Sequence, residues 1–144
     1  MNDYNILLNN IEEKLGTETT FSTELDILGK RLLGRKFRGV YPSDCIPKLN
    51  YKKRYCILNL DNSIESGSHW IALAKINNKE SIIYDSFGRG YTQIIPKLKY
   101  SGNGRIIDTD DDAEQAIYEN NCGQRCLAWL LYLKNYGSDK AASI

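Results

Sequence analysis

The sequence predicts an α+β fold, because helical and strand-like patterns occupy separate parts of the chain. Two amphipathic segments come first, strand-like apolar runs follow in the middle, and a largely apolar helix lies near the end. Helices and strands that are segregated along a chain are typical of this class. A chain of 144 residues fits one domain, and a domain near this size buries roughly 68–70% of its extended surface.

Two amphipathic helices are predicted at the N-terminus, over residues 4–15 and 23–33, and each ends at a glycine. Their apolar positions are Ile6, Leu7, Ile11 and Leu15 in the first and Leu25, Leu28, Leu32 and Leu33 in the second. Apolar residues three or four positions apart form one face, which packs on a core. The next segment, residues 37–47, is predicted to be a loop because it holds Gly39, Pro42 and Pro47.

Four strands are predicted from short runs of apolar residues, while residues 92–100 fit no single pattern. The strands are Tyr55–Leu60, His69–Lys75, Ser81–Asp85 and Arg105–Asp108. We expect three residues, 77–79, to link the second strand to the third, which sets Ile71 opposite Asp85 and His69 on the same face as Asp85. A two-residue link would turn Asp85 to the other face.

The last predicted helix runs from Cys122 to about Tyr136 and is apolar nearly all round, which indicates a central helix. Asn121 is a favoured N-cap residue, and Gln124 three positions later resembles a capping box. Cys122 is then the first helical residue, where the helix dipole and backbone N–H groups stabilise negative charge on sulfur. The tail over residues 138–144 is expected to be loose.

Composition excludes few functions. The net charge of +1 argues neither for nor against nucleic acid binding. No apolar stretch approaches 18 residues and no leader precedes the first helix, so a soluble protein that uses no signal peptide is expected. The four cysteines are expected to be reduced, and their spacing does not favour zinc; no metal and no cofactor is predicted.

One set of side chains could perform cysteine chemistry, which needs a thiolate, a base and donors for an oxyanion. Cys122 is the candidate nucleophile, and His69 is the single histidine in the chain. Asp85 is the candidate partner that orients the base, and the Gln115 amide would join the Cys122 backbone N–H as oxyanion donor. Taken singly, each residue has an ordinary alternative. Cys122 could be a packed thiol, His69 a surface or core residue, and Asp85 the first residue of a turn. Gln115 by itself is uninformative. Cys126 is expected to be packing.

Five short motifs occur in an order that resembles a known protease family. They are Phe37–Tyr41 (FRGVY), Glu65–Trp70 (ESGSHW), Tyr84–Gly88 (YDSFG), Gln115, and Asn121–Gly123 with Cys126. Together they are similar to the adenovirus-type (adenain-like) maturation cysteine proteases, above all to the branch found in virophages and Maverick/Polinton elements. The resemblance covers about residues 37–134.

The resemblance implies a papain-like α+β fold, with a central nucleophile helix on a mainly antiparallel sheet. Cys122 would be the nucleophile, His69 the general base, Asp85 its orienting partner and Gln115 the oxyanion-hole side chain. The motifs also imply a substrate-binding set, namely Gly39, Tyr41, Ser68, Trp70 and Gly123. One domain is expected, with N-terminal helices over residues 1–36, a catalytic core over 37–137 and the tail.

The implied function is a viral maturation endopeptidase that cleaves capsid precursor proteins near small residues such as glycine. It would act as a monomer in the virion and in the host cytoplasm, at the viral factory. The adenoviral enzyme uses an activating peptide and DNA, but the chain is shorter and the peptide-receiving region is not recognisable, so this dependence is not carried over. The alternatives are a protease that removes a ubiquitin-like modifier and an inactive DNA- or capsid-binding module.

A basic cluster, formed by Lys48, Lys52, Lys53 and Arg54, is the one candidate for a weak DNA contact. A solvated basic loop is the favoured interpretation of this cluster.

Overall fold

The computed structural model describes residues 2–60, 69–109, 112–116 and 119–144, and these ranges contain five α-helices and one five-stranded sheet. The helices are α1 (Asp3–Leu15), α2 (Ser22–Leu33), α3 (Tyr91–Ile94), α4 (Cys122–Tyr136) and α5 (Ser138–Ala142). The strands are β1 (Phe37–Pro42), β2 (Tyr55–Asn59), β3 (Trp70–Asn77), β4 (Glu80–Tyr84) and β5 (Arg105–Asp108). Short 3-10 helices span Gly34–Lys36 and Pro96–Tyr100. The α+β class is therefore confirmed.

The sheet has the order β1-β2-β3-β4-β5 and mixes two kinds of pairing. β3 pairs antiparallel with β2 on one side and with β4 on the other. The outer strands β1 and β5 run parallel to β2 and β4. The expected antiparallel arrangement therefore holds for the three central strands, and the sheet as a whole is mixed.

The hairpin between β3 and β4 differs from the prediction in its turn but keeps the predicted register. Two residues form the turn, since Asn77 pairs with Glu80. The next pair is Lys75 with Ser81, so Ile76 is an extra residue that makes a β-bulge. The bulge offsets the shorter turn, and Asp85 keeps the face it would have had after a three-residue turn.

The segment predicted to be a loop from Phe37 is instead the edge strand β1. Its glycine and proline are compatible with a strand at these positions. The pairing register shifts between Phe37 and Gly39, and Pro42 is the last residue of an edge strand. A bulge and a strand end are where sheets accept these residue types.

Helix α4 occupies the centre of one layer, as its apolar sequence predicted. It packs against β3 on one side and against α1 and α2 on the other. Trp129 of α4 is fully buried and stacks on Tyr84 of β4, with ring centroids 5.2 Å apart. The opposite face of the sheet is covered by a second apolar cluster that includes Leu49, Ile95 and Leu98. Among the described helices, none is both long and apolar enough to cross a bilayer.

The expectation of a loose C-terminal tail is wrong. Residues 138–142 form the short helix α5, and Ala141 within it is fully buried. The indole Nε1–H of Trp129 donates to the carbonyl oxygen of Ala141 at 3.0 Å. Because a buried indole needs a hydrogen-bond acceptor, the tail is part of the folded domain.

Removing residues 138–144 should lower the free energy of unfolding by about 2 kcal/mol, because the buried Trp129 N–H loses its acceptor. Urea denaturation followed by tryptophan fluorescence would measure this change. Asp139→Ala, on an exposed position of the same helix, should stay within about 0.5 kcal/mol of the wild type. Equal stability of the truncated and full chains would contradict the docked tail.

Candidate active site

Cys122 is the first residue of α4, as predicted, but the predicted capping box does not form. The N-cap residue Asn121 makes no side-chain cap hydrogen bond. Its Oδ1 instead accepts from Nε of Arg125 at 3.1 Å. The amide of Gln124 donates to two carbonyl groups of the connection between α1 and α2. The side chains expected to cap the helix thus anchor its first turn to the rest of the fold.

The sulfur of Cys122 lies against the beginning of β3. The residue is only 3% exposed. The backbone N–H of Trp70 donates to Sγ at 3.4 Å, and the imidazole of His69 hydrogen-bonds to the same side chain. The only histidine in the chain therefore meets the cysteine at the start of the central helix, as the sequence predicted.

His69 lies between Asp85 and Cys122. Its Nε2 is 2.5 Å from Oδ1 of Asp85. Because Nε2 is engaged with the carboxylate, the contact with the sulfur falls to the other ring nitrogen, Nδ1. The predicted juxtaposition of His69 and Asp85 is therefore present in the structure.

The environment of His69 favours the imidazolium form. Burial alone would lower the pKa of His69, but hydrogen bonds and charge attraction from Asp85 and Cys122 outweigh it and raise the pKa from 6.5 to about 9. A raised pKa means that these contacts stabilise the folded protein fully below about pH 6.5. Their contribution is lost as the pH rises through about 9.

Asp85 is a buried carboxylate with a complete set of donors. Its side chain is 1% exposed. Besides His69, the backbone N–H of Phe87 donates at 3.1 Å, and Nε and the backbone N–H of Arg89 donate at 2.7 and 3.4 Å. Burial would raise the pKa of Asp85, but His69, Arg89 and the Phe87 N–H hold it below its usual value. This contribution to stability is present above the ordinary carboxyl pKa and is lost as the pH falls.

Sequence reasoning missed two residues of this site, Phe87 and Arg89. The Phe87 ring packs on the imidazole of His69, with centroids 4.8 Å apart, and the Arg89 guanidinium lies 5.4 Å from the centre of the Phe87 ring. An aspartate that begins a turn commonly accepts the N–H two residues later, so the Phe87 contact had a local signal. Nothing in the sequence indicated that the Arg89 side chain would fold back onto Asp85.

Gln115 is buried close to the turn that follows Asp85. Its Oε1 accepts from the hydroxyl of Ser86 at 2.5 Å, and its Nε2 donates to the carbonyl oxygen of Glu119 at 2.6 Å. The residue is 4% exposed. The amide is thus held from two sides, by the residue after Asp85 and by the segment that leads into Cys122.

These contacts connect the four predicted catalytic residues to one another. Cys122 contacts His69, and His69 contacts Asp85. The neighbour of Asp85 contacts Gln115, which contacts the backbone of Glu119, three positions before Cys122. The structure therefore brings all four predicted catalytic residues into one connected group.

The predicted substrate-binding residues do not all lie beside the catalytic group. Trp70 is 3% exposed and belongs to the core, so its side chain does not offer a substrate surface, although its backbone N–H reaches the sulfur. Gly39 and Tyr41 lie on β1, two strands from β3, where they adjoin Asp26 and Arg38. Neighbouring strands are about 4.8 Å apart, which places them roughly 10 Å from the strand of Trp70. Ser68 lies outside the described residues.

Gly123, predicted to bind substrate, has a packing role in the structure, and its part in substrate binding stays a prediction. A Cβ atom at this position would lie 2.9 Å from Cδ1 of Leu25 and 2.9 Å from Cγ2 of Thr20, both of which are buried. The missing side chain lets the first turn of α4 approach α2.

Cys126, one turn after Cys122, is fully buried, as expected for a packing residue. Burial, together with the electrostatic influence of the nearby Cys122 and Asp85, raises its pKa well above that of an ordinary thiol. Within the described ranges, no group of three or more His, Cys, Asp or Glu side chains is placed to hold a metal ion.

Comparisons with known proteins return no relative. No protein-family model, no curated protein and no solved structure matches the chain. The geometry of the site and the motifs of the sequence are therefore what indicate a function.

Gly123→Ala should lower the free energy of unfolding, although alanine favours a helix. Alanine contributes about 1 kcal/mol of helix propensity over glycine, whereas forcing a methyl group into a packed core costs about 1–3 kcal/mol. Urea denaturation of this variant, alone and with Leu25→Val, should show a smaller loss in the second background, where space is available. Unchanged stability with weakened substrate affinity would return Gly123 to a substrate-binding role.

Proposed function

We propose that this protein is a cysteine endopeptidase. The proposal is carried by one observation: the only imidazole of the chain is held between a buried carboxylate and the thiol that opens the central helix. A nucleophile, a base and a group that orients the base, in hydrogen-bond reach of one another, are the arrangement that acyl transfer through sulfur requires.

The catalytic steps follow from these contacts. The thiolate of Cys122 attacks the scissile carbonyl, and His69, as imidazolium, protonates the departing amine. His69 then takes a proton from water as that water hydrolyses the thioester. Asp85 holds the ring orientation and stabilises its positive charge. The backbone N–H of Cys122 and the amide of Gln115 donate to the oxyanion.

A substrate approaches from the side of the turn that follows Asp85. The buried sulfur is 3% exposed, whereas the His69 side chain is 15% exposed and that of Arg89 is 37% exposed. Solvent therefore reaches the site at the imidazole and the guanidinium.

We assign the chain to the papain-like proteases of the adenain type, in the branch found in virophages and Maverick/Polinton elements. The motifs around His69, Asp85, Gln115 and Cys122 support the assignment, and their side chains meet in one site. The spacing of seven between Gln115 and Cys122 resembles the adenoviral branch rather than the branch that processes ubiquitin-like modifiers. The substrate-binding roles of Gly39, Tyr41 and Gly123 stay predictions.

The proposed substrates are viral capsid precursors, cut near small residues such as glycine, in the virion and at the viral factory of the host cytoplasm. We expect the protein to act as a monomer without a resident cofactor. Sequencing the new termini after incubation with candidate precursors identifies the cleavage motif.

Cys122→Ala should abolish cleavage of capsid precursor proteins, with a loss approaching 10⁶-fold, because no other group can form the thioester. Mass spectrometry of the new termini is the measurement. Cys126→Ala is the matched control, since it removes a thiol from the same helix that is fully buried and has a raised pKa. It should keep activity within a few-fold if the fold is intact.

Three outcomes would redirect the proposal. Cleavage by Cys122→Ala at the wild-type rate would exclude Cys122 as the nucleophile. Cleavage of a Gly-Gly conjugate of a ubiquitin-like modifier, with capsid precursors left intact, would make the protein a deconjugating protease. A chain whose Cys122 reacts with iodoacetamide no faster than an ordinary thiol would be an inactive binding module.

A further inference from the structure

Ser86 is a buried polar residue that the catalytic steps leave without a role. It directly follows Asp85 and is fully buried. Its hydroxyl donates to Oε1 of Gln115 at 2.5 Å. Its carbonyl oxygen accepts the backbone N–H groups of Glu114 and Gln115 at 2.9 and 3.1 Å. Ser86 therefore holds the segment around Gln115 through its side chain and its backbone together.

The amide of Gln115 has only one favourable orientation between its two partners. The carbonyl oxygen of Glu119 can only accept a hydrogen bond, so the amide end that faces it at 2.6 Å must be the NH₂ group. The other end is then Oε1, and the hydroxyl of Ser86 must be its donor. Exchanging the two ends would set two carbonyl oxygens against each other.

We propose that Ser86 is a positioning residue that holds Gln115 as the oxyanion donor, an inference that rests on the proposed peptidase activity. Nε2 carries two hydrogens, one of which bonds to Glu119, three positions before Cys122. The Glu119 carbonyl selects the nitrogen for the side that leads into α4, and the Ser86 hydroxyl holds the opposite end, Oε1, so that the amide does not swing away from this position. An oxyanion that met Oε1 would be repelled, whereas an N–H stabilises it.

Two consecutive residues would then position different parts of the site. Asp85 orients the base through His69, and Ser86 orients the oxyanion donor through Gln115. The turn in which the Gly88 N–H donates to the Asp85 carbonyl at 2.8 Å carries both. A single turn thus sets the two functions of the site relative to each other.

One labelling assay separates these two functions. Iodoacetamide alkylates Cys122 by displacing iodide, so no oxyanion develops. A peptide aldehyde, such as acetyl-Leu-Gly-glycinal, reacts reversibly. Its carbonyl carbon bonds to Sγ, the π electron pair moves to oxygen, and that oxygen occupies the oxyanion position. Protection of Cys122 by the aldehyde therefore measures oxyanion binding, and the unprotected rate measures the nucleophile. Cys45 is exposed, so all chains carry Cys45→Ser.

Ser86→Ala should weaken protection by the aldehyde about tenfold, because the donor is displaced rather than lost. It should leave the alkylation rate within twofold. Gln115→Ala should weaken protection at least as much, and adding Ser86→Ala to Gln115→Ala should change nothing further, since Ser86 acts through that amide. Ser81→Ala is the matched control. This fully buried serine donates to the carbonyl of Asn103 at 2.8 Å, away from the site, and should alter neither quantity.

Three results would overturn the inference: Ser86→Ala changes both quantities equally, changes neither, or adds its full effect to Gln115→Ala. If Ser86→Ala does not fold, Ser86→Cys keeps the size with a weaker donor and must show the same selective loss. A wild-type chain that the aldehyde fails to protect marks the failure of the proposed function itself, and the inference falls with it.

Discussion

A buried negative charge at Asp85 is the constraint on which the rest of the site depends. A carboxylate that is 1% exposed persists only if donors replace the water it has lost. Here the donors come from one imidazole, one guanidinium and two backbone N–H groups. The carboxylate therefore fixes His69 at its ring nitrogen Nε2 and leaves the other nitrogen for the sulfur. Removing any one donor would leave part of the charge unpaired in the interior.

The side of the sheet on which Asp85 lies is determined far from the site, at the opposite end of the β3–β4 hairpin. The two-residue turn after Asn77 alone would place Asp85 on the wrong face of the sheet, and the bulge at Ile76 reverses this. Helix α4 packs on the face that carries Ala72 and Tyr84, which alternate with His69 and Asp85 along the strands, so its first turn meets the site at the beginning of β3. That turn also approaches α2 closely because Gly123 has no side chain. Register and helix approach together decide whether the carboxylate, the imidazole and the thiol share one space.

The sequence was a good guide where chemistry and periodicity agreed. Helical spacing predicted α1, α2 and α4, and the position of Cys122 at the start of α4 followed from the change between polar and apolar residues. The contact of His69 with Asp85 could be predicted because the register was correct, although the turn and the bulge were not foreseen individually. The prediction had the turn one residue too long and did not include the bulge, and these two errors cancelled, so the predicted face of Asp85 was correct.

Other features could not be predicted, because they depend on tertiary contacts. β1 contains Gly39 and Pro42, which locally favour a loop, and it becomes a strand because β2 offers a partner. Asn121 and Gln124 carry the pattern of a capping box, yet each finds a long-range or buried partner that competes with the cap. The docking of α5 depends on the indole of Trp129, which no local pattern reveals.

The central claim is that Cys122 and Asp85 act together on His69, and an NMR titration tests it most directly. The chain has one histidine, so the Hε1 proton of His69 gives an unambiguous signal. We expect this signal to titrate with a pKa of about 9. After Cys122 is blocked with iodoacetamide, the pKa of His69 should fall, because the hydrogen bond and the charge interaction with Cys122 that raise it are lost. A pKa near the ordinary 6.5 that does not respond to blocking Cys122 would contradict the account.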